Sequence, residues 1–113
     1  MKHRRIASWT GSVLAAAGLA LGLSGGRVAA APTPTITIDD FTYTPAAVTV
    51  ARGTTVRWVN HDEEPHTVTS ATGAFASAGL VKDDSFAQTF TARGTYQYFC
   101  ALHPHMKATV VVQ

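Results

Sequence analysis

Apolar and polar residues alternate along most of the chain beyond residue 34, a pattern typical of strands that bury one face. Residues 54–60 place Val56 and Trp58 on one face, and residues 85–91 alternate in the same way. No segment sustains the 3.6-residue period of an amphipathic helix. Further strands are predicted at 35–43, 48–50, 66–69, 95–100 and 107–112. About six to eight short strands separated by turns predict an all-β domain, either a β-sandwich or a small barrel.

Two stretches interrupt this alternation. Ile36 and Ile38 share one parity whereas Tyr43 has the opposite one, and this change of phase predicts a β-bulge at residues 39–40. Residues 70–84 are rich in Ala, Gly, Ser and Asp. That composition predicts a loop with at most a short turn of helix.

The N-terminal segment has the pattern of a secretory signal peptide. Basic residues near the start precede an apolar run at 13–23, and small residues follow at 28–30. The run is shorter than the ~20 residues that span a bilayer, so a cleaved signal is favoured over a membrane anchor. We therefore predict a signal peptide at 1–30, cleavage before Ala31, and a mature domain at 31–113 in the periplasm or outside the cell.

Charge separates these two segments. The first 30 residues carry four basic residues and no acid, and the other 83 carry five basic and seven acidic residues, so the formal charge of +2 divides into +4 and −2. A mature domain of negative charge is not expected to bind nucleic acid, and no stable membrane insertion is expected after cleavage. The acidic run at 62–64 is predicted to be a solvated loop face, suited to orienting a basic partner such as a cytochrome.

Candidate chemistry is concentrated in residues 100–106. The chain has one cysteine, Cys100, so it forms no internal disulfide, and an unpaired thiol in an exported protein needs burial, a metal or a partner. His103 and Met106 follow it between two predicted strands, and His66 begins another. A thiolate, two imidazoles and a thioether match a blue-copper electron-transfer site. Two alternatives remain. The site could bind zinc, although zinc rarely binds Met. Or there is no metal site, and Cys100 is a buried core thiol, Met106 fills the core and the histidines lie on the surface.

The chain also resembles a known family, the cupredoxins, and within them the amicyanins. The resemblance is carried by the segments Thr-Val-Arg-Trp-Val-Asn at 55–60, Pro-His at 65–66, Gly-Thr-Tyr-Gln-Tyr-Phe-Cys at 94–100, and Cys-x-x-His-x-x-Met at 100–106. The two-residue gap between His103 and Met106 is the short amicyanin-type spacing, whereas plastocyanins and pseudoazurins have a longer one. The resemblance covers nearly all of residues 35–113.

This resemblance implies a Greek-key β-sandwich with one copper ion at one end. By position, it implies that the ligands are His66, Cys100, His103 and Met106. Two positions depart from the family pattern: Thr67 stands where the family usually has Asn, and His105 stands where amicyanins tend to have an apolar residue. We expect His61 to be solvated, and we keep His105 as an alternative fourth ligand to Met106.

Three functions are compatible with a copper site of this kind. The favoured one is a monomeric one-electron carrier that docks briefly, near His103, with exported redox proteins such as a dehydrogenase, a cytochrome or an oxidase. The alternative is a copper-handling protein for delivery, buffering or resistance, which His61 and His105 keep open. An enzyme is not expected, because the mature domain has four histidines and no recognisable acid–base or nucleophile set.

Overall fold

The computed structural model describes residues 32–113. The predicted signal peptide at 1–30 and its cleavage point before Ala31 lie outside the described residues. Within the described part of the chain, no helix is long and apolar enough to cross a membrane.

Eight strands form two four-stranded sheets. In chain order they are β1 (Thr35–Asp39), β2 (Thr42–Thr44), β3 (Ala47–Val50), β4 (Thr55–Asn60), β5 (Thr69–Ser70), β6 (Ser85–Thr89), β7 (Gly94–Phe99) and β8 (Lys107–Val112). One sheet has the order β2-β1-β4-β6 and the other β3-β8-β7-β5. Every connection between β2 and β7 passes from one sheet to the other. The predicted all-β sandwich is confirmed, and a single small barrel is excluded because the strands form two separate sheets.

The alternating apolar positions build the core. Val56 and Trp58 of β4 are fully buried, as their shared parity predicts. Trp58 is surrounded by aromatic rings at centroid distances of 5.4–6.5 Å, namely those of Phe75, Phe86, Phe90 and Tyr98. Tyr98 in turn packs edge-on against Tyr43 at 4.8 Å. This aromatic cluster occupies the space between the sheets and supplies much of the apolar burial of a small domain.

The predicted bulge at residues 39–40 is wrong, because the chain turns there. Asp39 pairs with Thr42, so Asp40 and Phe41 form a two-residue hairpin loop between β1 and β2. Both loop residues have positive φ, 50° and 54°, as a type I′ turn requires. The reversal pairs Ile38 with Tyr43 and thereby explains the change of parity. Two non-glycine residues in this conformation cost roughly 1–2 kcal/mol each, so other contacts must hold the turn.

The segment between β4 and β6 is mostly loop, as predicted, but its details differ from the prediction. The expected strand at 66–69 is reduced to an isolated bridge between His66 and Leu80, followed by the short strand β5. The described residues at 70–84 contain turns and bridges but no turn of helix. Backbone hydrogen bonds in both directions between His66 and Leu80, at 3.0 and 2.7 Å, fix the place of His66.

Candidate metal centre

The loop at 100–106 is held closed by its own backbone. It joins β7 to β8, which pair antiparallel as far as Phe99 and Lys107. The Cys100 N–H donates to the Met106 carbonyl at 3.1 Å, the His103 N–H to the Cys100 carbonyl at 3.2 Å, and the Met106 N–H to the His103 carbonyl at 2.9 Å. The three predicted ligands of this loop therefore sit in one hydrogen-bonded turn.

Three donor atoms converge between this loop and His66. The Cys100 Sγ lies 3.7 Å from the Nδ1 of His66 and 3.7 Å from the Nδ1 of His103, and the two Nδ1 atoms are 3.2 Å apart. Three trigonal donors about 2.0–2.3 Å from one first-row metal would lie roughly 3.5–3.7 Å apart. Both sulfur–nitrogen distances agree with this range, and the distance between the two nitrogens is somewhat shorter. Cys100 and His66 are fully buried. The donor set and its spacing therefore fit a single metal ion.

Met106 is buried, and its backbone hydrogen bonds lie within the same turn. His105, the alternative fourth ligand, is exposed, and its ring centroid is 6.4 Å from that of His103. His61 is also exposed, and its backbone N–H donates to the Ile38 carbonyl. Of the candidate donors, His66, Cys100 and His103 thus converge, and Met106 is buried in the same turn as Cys100 and His103.

Thr67 connects the His66 side of the site to the ligand loop. Its N–H donates to the Cys100 Sγ at 3.3 Å, and its hydroxyl oxygen accepts the Ala101 N–H at 2.7 Å. The hydroxyl also lies 2.9 Å from that of Thr69. Thr67, which stands where the family usually has Asn, therefore links the His66 side of the site to the ligand loop, and a second hydroxyl holds its side chain.

The Thr67 backbone is itself held from the core. The Tyr43 hydroxyl donates to the Thr67 carbonyl at 2.6 Å. Burial, together with the neighbouring Cys100 and Tyr98, raises the pKa of Tyr43 far above its ordinary value. The hydroxyl therefore remains a hydrogen-bond donor across the working pH range, and it anchors the site to the aromatic cluster.

A Thr67→Val variant should destabilise the metal-free protein by about 1–3 kcal/mol, because it leaves the Ala101 N–H without its acceptor. Denaturant unfolding of the apo-protein measures this change. Thr67→Ser is the matched control, since it keeps the hydroxyl and should retain most of the stability. A larger loss in Thr67→Ser than in Thr67→Val would mean that packing of the Thr67 methyl, rather than the hydrogen bond, stabilises the loop.

The prediction of a solvated acidic run at 62–64 is wrong for Asp62, whose side chain is largely buried. Its Oδ1 accepts the Asp40 N–H at 2.7 Å, and its Oδ2 accepts the Phe41 N–H at 2.9 Å. The Oδ2 is also 2.8 Å from the His66 Nε2. Burial alone would raise the pKa of Asp62, but the hydrogen bonds from Phe41, Asp40 and His66 prevail and lower it. Asp62 is therefore an ionised structural carboxylate.

Asn60 shapes the loop that carries Asp62 and His66. Its side-chain nitrogen donates to the carbonyls of Glu64 and Leu80 at 2.9 and 2.8 Å, and its side-chain oxygen accepts the Asp62 N–H at 2.9 Å. Asn60 is fully buried at the end of β4. The loop between β4 and His66 thus has a defined backbone, which places the imidazole before any metal arrives.

Phe41 is the other neighbour of the site that sequence reasoning missed. Its ring meets those of His66 and His103 edge-on, at centroid distances of 5.0 and 4.9 Å. For Asp62, the spacing of four residues from His66 in a turn-rich loop was an available signal. For Phe41 no local signal existed, because the contact depends on how the β1–β2 turn packs.

The chain is similar to known proteins in sequence and in structure. Residues 12–112 match the family model described as a cupredoxin-like domain. Amicyanin from Paracoccus versutus is 38% identical over 95 residues, which are 76% of this chain and 72% of that protein. A solved structure of the reduced Cu(I) form of an amicyanin mutant at pH 4 has a TM-score of 0.70 and 30% identity, covering 75% of this chain and 86% of that one.

An enzyme also contains a similar domain. The copper-containing nitrite reductase of Thermus scotoductus has a TM-score of 0.68 and 27% identity over 78% of this chain. The similar region is 24% of the enzyme chain. The likeness therefore concerns one domain of a much longer protein.

Proposed function

Because the chain belongs to the cupredoxin-like family, we propose that it is an exported one-electron carrier with a single copper ion bound by His66, Cys100, His103 and Met106. The observation that carries this proposal is the convergence of one thiol and two imidazole nitrogens within 3.2–3.7 Å of one another. With the buried thioether of Met106, these residues would offer copper two imidazoles, a thiolate and a thioether, the donor set of blue-copper sites.

The protein's contribution to electron transfer is to hold these donors still. Copper bound there supplies the Cu(I)/Cu(II) couple. Cys100 is held by the Thr67 N–H and by the turn hydrogen bond to Met106, and His66 is held by Leu80 and Asp62. Because these contacts do not involve the metal, the donor positions are set by the fold, and little rearrangement should accompany a change of charge.

His103 is the proposed point of electron exit. It is the partly exposed member of the three converging residues, and its loop neighbours Ala101, Leu102, Pro104 and His105 are exposed. Leu102 is 53% exposed, a large fraction for an apolar side chain. A small patch of this kind suits brief docking with an exported redox protein, while His105 adds polarity to it.

We also propose that residues 1–30 direct export and that the mature protein begins at Ala31. The basic start, the short apolar run and the small residues before position 31 support this division. N-terminal sequencing of protein secreted from the native host would test it. A mature N-terminus within the apolar run, or an intact leader, would contradict the proposed boundary.

Two other functions, copper handling and enzymatic catalysis, receive less support. Delivery proteins often use open Met- and His-rich sites, whereas Met106, Cys100 and His66 are buried. The nitrite reductase is about four times as long as the region it shares with this chain, so its activity is not carried over.

An optical titration tests the proposed carrier. Residues 31–113, expressed without the leader and mixed with Cu(II), should develop an intense blue thiolate-to-copper band. Ascorbate should bleach the band and ferricyanide should restore it over repeated cycles, and voltammetry should show a reversible one-electron wave. Tight copper binding without reversible cycling would favour copper handling instead. A pale solution with weak copper binding would contradict the proposed site itself.

A further inference from the structure

One carboxylate joins two parts of the fold that are distant in sequence. Asp62 accepts hydrogen bonds from the backbone N–H groups of Asp40 and Phe41, which form the β1–β2 turn, and it contacts the His66 ring. All three partners present an N–H, because an ionised carboxylate only accepts hydrogen bonds. We define these four residues, Asp40, Phe41, Asp62 and His66, as the carboxylate clamp.

The clamp determines which nitrogen of His66 carries the proton. A neutral imidazole has one N–H, and the Nε2 at 2.8 Å from Asp62 must be that donor. The Nδ1 is then the bare nitrogen, and it is the atom that lies 3.7 Å from the Cys100 Sγ. The proton is thereby kept on the side of the ring away from the converging donors.

The same carboxylate holds Phe41 in place. Phe41 has a φ of 54°, which a bulky residue rarely adopts, and such strain persists only where surrounding contacts impose it. The Asp62 Oδ2 accepts its N–H, and its ring then packs edge-on against both His66 and His103. The strained turn therefore places the Phe41 ring in contact with both imidazoles.

We propose that Asp62 is a positioning residue: it fixes the Nε2–H tautomer of His66 and, through the β1–β2 turn, holds Phe41 against both imidazoles before metal binds. The consequence for copper rests on the function proposed above, whereas the tautomer is a property of the apo-protein. Carboxylate partners of ligating histidines set ring orientation and ligand basicity in metal sites generally, and their loss weakens binding.

The Asp62→Asn substitution tests the role of the carboxylate because asparagine replaces one of its two acceptor oxygens with a donor. Asparagine has one acceptor oxygen where Asp62 has two. Its NH₂ group must therefore take the place of Oδ1, where it faces the Asp40 N–H, or of Oδ2, where it faces both the Phe41 N–H and the His66 Nε2. If it faces the imidazole, Nε2 becomes the acceptor and the proton moves to Nδ1. That tautomer points an N–H, rather than a lone pair, at Cys100 and His103.

The test is ¹⁵N–¹H NMR of the histidine rings in apo-protein at about pH 8, where an ordinary imidazole is neutral. Wild-type His66 should be the Nε2–H tautomer, and Asp62→Asn should raise the Nδ1–H form. Competition with a chromogenic Cu(I) chelator should show a loss of affinity of about 10–100-fold in Asp62→Asn. Glu63→Gln is the matched control. Glu63 is the next residue after Asp62 and forms an exposed pair with Lys82, so this substitution removes the same charge outside the clamp.

The outcomes separate this inference from the proposed function. An Nδ1–H tautomer in the wild-type apo-protein would overturn it, and that measurement needs no variant to fold. Equal losses of Cu(I) affinity in Asp62→Asn and Glu63→Gln would also overturn it, since general charge would then be the cause. A wild-type protein with the Nε2–H tautomer but no blue copper site would leave the positioning role standing and contradict the carrier function.

Discussion

A Cys100→Ser variant of residues 31–113 should remain folded but lose the intense visible band of the copper-loaded protein. The band requires a thiolate bonded to Cu(II), and Cys100 is the only cysteine of the chain. Serine keeps nearly the same volume at this fully buried position, and its oxygen can still accept the Thr67 N–H. Absorption spectra and electron paramagnetic resonance of the Cu(II) forms provide the measurement.

The affinity for Cu(I) should fall in the same variant by more than the roughly 10–100-fold typical of losing an outer hydrogen bond, because a soft thiolate ligand is removed. His105→Ala is the matched control, since this exposed histidine on the same loop is not among the proposed ligands. It should leave the band unchanged. A blue band that persists in Cys100→Ser, or that disappears in His105→Ala, would contradict the ligand set.

Replacing Trp58 with alanine should destabilise the apo-protein by about 3–5 kcal/mol, the cost of a large cavity in a core. Trp58 is fully buried, and four aromatic rings pack around it, so the surrounding side chains cannot collapse into the space. Whole domains are stable by only about 5–15 kcal/mol, so much of this small apo-protein should be unfolded. Circular dichroism during urea and thermal unfolding provides the measurement.

Trp58→Phe is the control for that cavity. It keeps an aromatic ring and removes an indole N–H that has no hydrogen-bond partner in the described structure. We expect it to cost less than half as much as Trp58→Ala. Copper should stabilise both variants, since a ligand that binds the folded state alone shifts the folding equilibrium. Equal costs for Phe and Ala would mean that the indole N–H, rather than ring volume, is what the core requires.

Local patterns along the chain predict the elements and residues whose placement depends on neighbouring residues alone. The alternation at 54–60 placed Val56 and Trp58 in the core because side chains on a strand point to opposite faces in turn. The candidate ligands were recognisable because their chemical types are rare together and three of them lie within seven residues. No knowledge of the packing is needed to see that this loop joins two strands.

The predictions for Asp62 in the acidic run at 62–64 and for residues 39–40 were wrong because contacts with distant segments decide both structures. Residues 62–64 are a run of three acids, yet Asp62 is buried while Glu63 forms an exposed pair with Lys82. The change of parity before Tyr43 fits either a bulge or a two-residue turn. Pairing of Asp39 with Thr42 decides between them, and pairing is a property of two strands rather than of one segment.

By itself, the sequence determined an all-β domain and the identity of the candidate donors, because strand periodicity and donor chemistry are local properties. Only the tertiary structure decided how the donors are held. The β1–β2 turn meets the loop after β4 through Asp62, and Leu80 fixes His66 by a backbone bridge. These contacts join residues 14 to 22 positions apart whose encounter depends on the packing of both sheets, so no pattern within either segment predicts them.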